Sequence, residues 1–101
     1  MEEFFRQRLA QLRIQKGISA RDMSLSLGQS ESYINKIENG KSFPSMQVFF
    51  YICEYFNITP KDFFDVENHN PIILDELIND MKALTNNQIA CIACMIKELK
   101  R

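Results

Sequence analysis

The hydrophobic positions of the first segment recur at three- and four-residue intervals, which is the spacing of one face of an α-helix. Phe5, Leu9 and Leu12 follow this spacing, and Gly17 stands where a helix commonly ends in a left-handed residue. Similar patterns continue along the chain, separated by glycine, proline and short polar runs. The pattern predicts an all-α chain whose seven helices lie near residues 4–16, 20–27, 31–39, 45–56, 61–65, 71–84 and 86–99.

Capping signals mark where several of these helices begin. Ser19 is expected to accept a hydrogen bond from the amide of Asp22, whose own side chain reaches back to Ser19. Ser30 offers a cap for the third helix, and Thr59, which precedes a proline, offers one for the fifth. Thr85 stands three residues before a glutamine, so it is expected to open the last helix with a full capping box.

Residues 66–70 are polar, and they are predicted to be a hinge between a domain at residues 1–66 and a tail at residues 70–101. The tail is predicted to be a hairpin of two amphipathic helices. Two helices of this size cannot bury their apolar faces on each other alone, so we expect them to pack on the domain or on a second copy. The fourth helix is apolar nearly all round, which predicts a place in the middle of the core.

Length and composition fit one compact domain with an appendage. The chain has 101 residues, 46% of them hydrophobic, which suffices for a core without disulfides. We therefore expect Cys53, Cys91 and Cys94 to be reduced. The first residues lack the features of a secretory signal, and no apolar run approaches the roughly 20 residues that cross a bilayer. These features favour a cytoplasmic protein without membrane association.

The net charge of −1 hides an asymmetry along the chain. Residues 6–44 carry seven basic and three acidic side chains, a net charge of +4. Residues 45–101 carry five basic and eight acidic side chains, a net charge of −3. This split is compatible with a nucleic-acid surface on the first half only, although an ordinary solvated helical surface would look similar.

Residues 18–41 bear most directly on function, because they contain two short helices joined through Gly28. A helix-turn-helix needs a tight turn, and glycine adopts positive φ there at little cost. Spacing alone would fit any helical hairpin. More specific residues surround the turn: Leu12, Arg13, Gly17, Ile18, Ser19, Tyr33, Ile34, the run Ile37, Glu38, Asn39, Gly40 and Lys41, and then Pro44 and Ser45.

With these residues the sequence resembles the XRE/Cro-like helix-turn-helix repressors. The similarity extends through residues 58–64 and covers roughly the first two-thirds of the chain. The resemblance implies a five-helix domain of the lambda-repressor type, in which the third helix enters the major groove of double-stranded DNA. The C-terminal two-helix hairpin lies outside the resemblance.

The resemblance also implies roles for particular residues. Those expected to meet base edges are Ser30, Glu31, Ser32 and Lys36. Those suited to phosphate or sugar contacts are Tyr33, Asn39 and Lys41. Arg13 and Glu38 are expected to form a structural ion pair between the first and third helices. Two departures, Ala20 where relatives often have glutamine and the negative charge of Glu31, would weaken nonspecific attraction to DNA.

We therefore expect a sequence-specific transcriptional regulator, of the repressor kind, that forms a homodimer through residues 71–101. The alternative is a protein-interaction module of the same fold whose hairpin docks a partner, which the acidic second half and Ala20 would favour. No cofactor and no small-molecule ligand is indicated.

Other chemistry is weakly supported by the sequence. Cys91 and Cys94 could be half of a metal site, but with His69 as the only histidine they lack the four ligands of zinc, so we expect packed core thiols and no metal. Acidic residues of the tail come without a nucleophile and base pair, so we expect no enzyme. The aromatic residues 49–56 could stack on single strands, but their helical spacing favours a core from which only Tyr51 and Tyr55 emerge.

Overall fold

The structure is a computed structural model that describes residues 1–67 and 69–101, and within them every regular element is a helix. The predicted all-α class is therefore confirmed. The helices are α1 (Glu2–Lys16), α2 (Ala20–Ser26), α3 (Tyr33–Glu38), α4 (Met46–Phe56), α5 (Pro60–Phe63), α6 (Pro71–Met81) and α7 (Asn86–Leu99). Residue 68, part of the predicted hinge, lies outside the described residues. No helix of the described chain has the length and apolarity needed to span a bilayer.

A single hydrophobic core is built mainly from α1 to α5. The apolar side chains with no exposure to solvent are Leu9, Leu12, Met23, Ile34, Ile37, Ile52 and Phe63. Phe5 extends this core at the start of α1, where its ring centroid lies 5.0 Å from that of Phe63 and 5.7 Å from that of Phe49. The apolar stripe predicted for the first helix is thus the face that α1 buries.

Arg8 points into the core, although its charge suggested a surface position. Its side chain is 3% exposed, and its Nε donates to the carbonyl of Phe63 at 2.8 Å while its Nη2 donates to that of Asp62 at 2.9 Å. These carbonyls lie at the end of the short α5, and that of Asp62 also accepts from the amide of Asp65 at 3.3 Å. Burial lowers the pKa of Arg8. One buried cation therefore joins α1 to α5 through hydrogen bonds.

The helix ends follow the predicted capping signals closely. Gly17 is left-handed with a φ of 77°, and Thr59 and Thr85 both open complete capping boxes. Ser19 accepts from the amide of Asp22 at 3.0 Å. The reciprocal bond from the Asp22 side chain is absent among the described residues. Asp62 makes the equivalent bond to the Thr59 amide at 3.3 Å, so an aspartate is long enough for this bond.

The prediction that α4 lies in the middle of the core is wrong for its outer face. Its inner face buries Phe49, Ile52, Cys53 and Phe56. Its outer face leaves Met46 67%, Phe50 48% and Tyr51 44% exposed. The neighbouring helices pack along one side of α4 only. Apolar residues on its other side therefore stay exposed. Phe50 joins the tyrosines at the surface, contrary to the expectation for residues 49–56.

The tail contacts the domain through the first turn of α6 and exposes most of the rest. Pro71 is buried, Ile72 packs against the core, and Gln15 Nε2 donates to the carbonyl of His69 at 2.7 Å. Beyond this turn the exposed apolar side chains are Ile73, Leu74, Leu77 and Ile78 of α6 and Ile89, Met95, Ile96 and Leu99 of α7, from 39% to 82% exposed. The two helices do not bury these faces on each other, in line with the sequence argument.

Cys91 and Cys94 are exposed on α7, so the expectation of packed core thiols is wrong for this pair. Cys53 alone is buried, and burial raises its pKa to about 11. We expected the apolar stripe of α7 to pack on the domain or on a second copy. Within the described chain, α7 buries none of its residues.

Candidate nucleic-acid interface

The third helix begins later than the sequence predicted. α3 starts at Tyr33 and has six residues, so it is shorter than the two and a half turns expected. Ser30 is not its cap: Ser30 lies in the preceding turn, where its carbonyl accepts from the amide of Tyr33 at 3.0 Å. The capping position belongs to Ser32, whose side chain accepts no hydrogen bond from α3.

The missing cap is replaced by a side chain from the preceding helix. Ser24 of α2 is fully buried, and its hydroxyl accepts a hydrogen bond from the Ile34 amide at 2.9 Å while donating to the Ala20 carbonyl at 2.7 Å. An amide in the first turn of α3, which has no partner inside its own helix, is thereby satisfied. Ser24 thus fixes the start of α3 against α2. Ser24 was not identified from the sequence, although a small polar residue between the apolar Met23 and Leu25 of a predicted helix was a usable signal.

Gly28 makes the turn between the two helices, and its φ is 73°. The amide of Gln29 donates to the carbonyl of Ser24 at 3.0 Å, closing the end of α2. A left-handed residue at this point strains any side chain larger than glycine's hydrogen. The glycine predicted for the turn therefore has the conformation that the prediction required.

Arg13 and Glu38 hold the other end of α3. Arg13 Nε and Nη2 donate to the two carboxylate oxygens of Glu38 at 2.8 and 3.0 Å, and Nη1 donates to the carbonyl of Ile18 at 2.9 Å. The side chains are only 18% and 12% exposed, so solvent screens this pair less than a surface pair. The hydrogen bond to Glu38 raises the pKa of Arg13. The pair links α1, the α1–α2 loop and the end of α3.

With both ends and the inner face of α3 fixed, the predicted base-reading residues lie in the turn before the helix (Ser30, Glu31, Ser32) and on its outer side (Lys36). Ser30, Glu31 and Lys36 are exposed, and Ser32 is half-buried. Ser32 and Lys36 are one helical turn apart on one edge. Glu31 Oε2 lies 3.1 Å from Arg21 Nε of α2, and both side chains are about two-thirds exposed (68% and 65%). The negative charge of Glu31, which we expected to weaken attraction to DNA, is therefore partly balanced by Arg21. The sequence did not indicate this pair.

The residues predicted to meet the backbone flank this edge. Tyr33 is half-buried, and burial raises its pKa, so its hydroxyl keeps its proton at neutral pH and can donate to a phosphate. Asn39 is exposed, and its Nδ2 donates to Asn35 Oδ1 at 3.1 Å. Lys41 is exposed, and its amide donates to the carbonyl of Lys36 at 2.8 Å.

The excess positive charge of the first half is smaller at this surface than its residue count suggested. Four of the seven cations are engaged elsewhere: Arg8 in the core, Arg13 with Glu38, Lys16 with the carbonyl and ring of Tyr55, and Arg21 with Glu31. The three remaining cations of residues 6–44, Arg6, Lys36 and Lys41, form no ion pair with any described residue. Attraction to a polyanion therefore depends on few side chains, which favours contacts of defined geometry over bulk charge.

Comparison with known proteins agrees with this geometry. The family described as helix-turn-helix domain matches residues 7–69, more than half of the chain. No curated protein and no solved structure matches the chain. Within the described residues no three histidine, cysteine or acidic side chains are grouped to hold a metal ion. The match covers α1 from Gln7 onward and α2 to α5, including the α2–α3 unit held by Ser24 and the Arg13–Glu38 pair. This chain therefore belongs to the helix-turn-helix domain family and carries the DNA-binding domain of a regulator.

Proposed function

We propose that this protein is a sequence-specific transcriptional repressor that acts in the cytoplasm by binding, without catalysis, and reads the major groove with α3. The observation that carries the proposal is the division of α3 and the turn before it into a buried side and an open side. Ile34 and Ile37 have no solvent exposure, whereas Ser30, Glu31 and Lys36 are open to a ligand. A short helix held this way can enter a groove without rearranging.

The chemistry of the outer edge suits base reading. Lys36 can donate to the O6 and N7 atoms of guanine, Glu31 can accept from the N4 amino group of cytosine, and serine hydroxyls can donate or accept. Because Arg21 pairs with Glu31, the two side chains together carry less net negative charge to repel the phosphates. Tyr33, Asn39 and Lys41 would fix the register of the helix on the backbone.

We further propose that the protein binds as a homodimer through residues 71–101. The apolar faces of α6 and α7 are 39% to 82% exposed, which is unusual for a helix of a protein that acts alone. A two-fold dimer would place its third helices about 34 Å apart and read two half-sites of a palindrome.

The first experiment selects binding sites from random duplexes and compares three variants that remove the same charge. Lys36→Ala should lower the preference for the selected site over random duplex by about 5- to 150-fold, the value of one bidentate base contact. Lys41→Ala should weaken selected and random duplex by the same factor, because a phosphate contact carries no sequence information.

Lys61→Ala is the matched control, since Lys61 is an exposed lysine of α5 outside the predicted interface. It should leave the preference unchanged. If the selection enriches no sequence, and the wild-type protein binds random duplex as tightly as any other, the proposal of a sequence-specific repressor is wrong.

The dimer is tested by light scattering on the full chain. Ile96→Glu introduces a charge into the apolar face of α7 and should convert a dimer to a monomer, whereas Lys97→Glu at the next position should not. A wild-type monomer at DNA-binding concentrations would contradict the homodimer.

The second candidate is a protein-interaction module whose tail docks another protein. The exposed tail and the net charge of −3 on residues 45–101 favour it. A wild-type monomer that binds no duplex selectively would favour this candidate over the repressor.

A further inference from the structure

An open cleft separates the first turns of α1 from the loop that follows α3. Its volume is about 520 Å³, and its walls are formed by Glu2, Glu3 and Arg6 on one side and by residues 39–43 on the other. The cleft adjoins the predicted backbone contacts Asn39 and Lys41. None of the residues on its α1 side belongs to the α2–α3 unit or to the contacts implied by the family resemblance.

Arg6 is held in this cleft by close packing on Gly40. A Cβ atom at position 40 would stand 3.3 Å from Arg6 Nη1 and 3.4 Å from its Cδ and Cζ atoms. Gly40 also has a φ of +76°, a conformation that side chains rarely adopt. The glycine therefore serves two purposes: it turns the chain after α3, and it lets the guanidinium lie against the loop beside Lys41.

The guanidinium has unused hydrogen-bonding capacity. Arg6 forms no ion pair and no hydrogen bond with any residue in 1–67 or 69–101, in contrast to Arg13 and Arg21. Glu2 and Glu3 line the same cleft four and three positions before Arg6, yet neither is within ion-pair distance of it. Glu3 instead accepts a hydrogen bond from Gln7 Nε2 at 3.4 Å. A planar group with five donors and a preset position matches a phosphate better than a mobile lysine does.

We propose that this cleft seats one backbone phosphate of the bound duplex, with Arg6 as its principal donor and Lys41 beside it. The inference rests on the proposed DNA binding and adds a contact from α1, outside the α2–α3 unit. Such a contact fixes the register of the domain on the duplex and is indifferent to base sequence. The negative charges of Glu2 and Glu3 at the rim reduce the affinity of the cleft for anions in general. A free anion that lacks the geometry of a DNA backbone is therefore attracted only weakly.

The test measures affinity between 50 and 200 mM salt for the selected site and for random duplex. Each phosphate contact contributes about 0.9 to the slope of log K against log salt. Arg6→Ala should therefore weaken both duplexes by the same factor and make the slope less steep by about 0.9. The advantage of the wild type over Arg6→Ala should shrink about three- to fourfold across this salt range. Arg6→Lys should be intermediate, and Glu2→Gln should tighten both duplexes.

Lys61→Ala is again the control for removal of one positive charge, and a thermal melt shows whether each variant folds. Ethylation of single phosphates adds an independent measurement: one position should interfere with the wild type and not with Arg6→Ala. A slope for Arg6→Ala equal to that of the wild type, with wild-type binding intact, overturns this inference and leaves the proposed function standing. A wild type that binds no duplex overturns both.

Discussion

The helix-turn-helix domain and the tail use similar local signals and reach different degrees of burial. Each region has a complete capping box, opened by Thr59 in the domain and by Thr85 in the tail. In the domain, twelve apolar side chains are buried in one core. In the tail, α7 buries none. The contrast shows that caps and periodicity determine whether a helix forms, whereas packing partners determine how much the helix contributes to the stability of the fold.

The shape of the molecule reflects the same contrast. Its extents are 49 × 26 × 22 Å and its radius of gyration is 16.5 Å. A compact chain of this length has a radius of about 13 Å. The tail accounts for the difference, because it extends from the domain beyond the start of α6. Pairs of matched substitutions, one in the domain and one in the tail, test how far the stabilities of the two regions are independent.

The largest difference is expected for leucine truncation. Leu9 has no exposure, so Leu9→Ala should lower the free energy of unfolding by about 2–5 kcal/mol. Leu99 is 82% exposed, so Leu99→Ala should change it by no more than about 0.5 kcal/mol. Urea titrations at low protein concentration measure both. A large effect of Leu99→Ala under these conditions would mean that α7 is covered within a single chain.

A smaller effect is expected at the bridge between α2 and α3. Ser24→Ala leaves the buried amide of Ile34 without its acceptor and should cost about 1–3 kcal/mol. Ser26→Ala, at an exposed position of the same helix, is the control and should stay within about 0.5 kcal/mol. Thermal melts give both values. Equal melting temperatures for the two variants would show that Ser24 does not stabilise the start of α3.

The two capping boxes should respond differently to the same change. Thr59→Ala should lower the free energy of unfolding by about 0.5–2 kcal/mol, because α5 contributes Phe63 to the core. Thr85→Ala should reduce the helical circular dichroism signal and leave the cooperative melt of the domain in place. If Thr85→Ala lowers the melting temperature as much as Thr59→Ala, the tail folds together with the domain.

The smallest effect concerns pH, at the contact between α6 and α5. Burial, followed by the negative charge of Asp62, raises the pKa of Asp75. The folded state therefore favours the protonated carboxyl, and the resulting stability is present below the unfolded pKa of about 3.9 and is lost as pH rises through the folded pKa. Asp75→Asn should be slightly more stable than the wild type at neutral pH and equal to it in acid. Asp80→Asn, which removes a negative charge at an exposed position of the same helix, is the matched control.

The sequence predicted features whose causes lie within a few residues. The glycine ends, the caps at Ser19, Thr59 and Thr85 and the apolar face of α1 depend on neighbours along the chain, and they agree with the structure. The start of α3 was wrong because its decisive partner, Ser24, is ten positions away and on another helix. Local capping rules cannot tell whether Ser30 or Ser32 precedes the first residue of α3, because the hydrogen bond that caps α3 comes from another helix.

The candidate site shows the same limit. The outward position of Lys36 could be predicted from helical spacing, and the role in DNA binding stays a prediction. The charge count overstated the cationic surface because it could not tell that Arg8 turns inward or that Arg21 lies beside Glu31. The outer face of α4 and the two cysteines of α7 were misplaced because composition does not say how many sides of a helix have neighbours.

The division of residues 30–38 into an inner and an outer side has an evolutionary consequence. The inner residues that hold the helix, Ile34, Ile37 and Glu38, are distinct from the outer residues at positions 30, 31 and 36. Exchanges at exposed positions alter stability by no more than about 0.5 kcal/mol, so natural drift can rewrite the outer edge while the scaffold persists. A duplicated copy of such a gene could acquire a new target in a few steps, with folding left intact throughout.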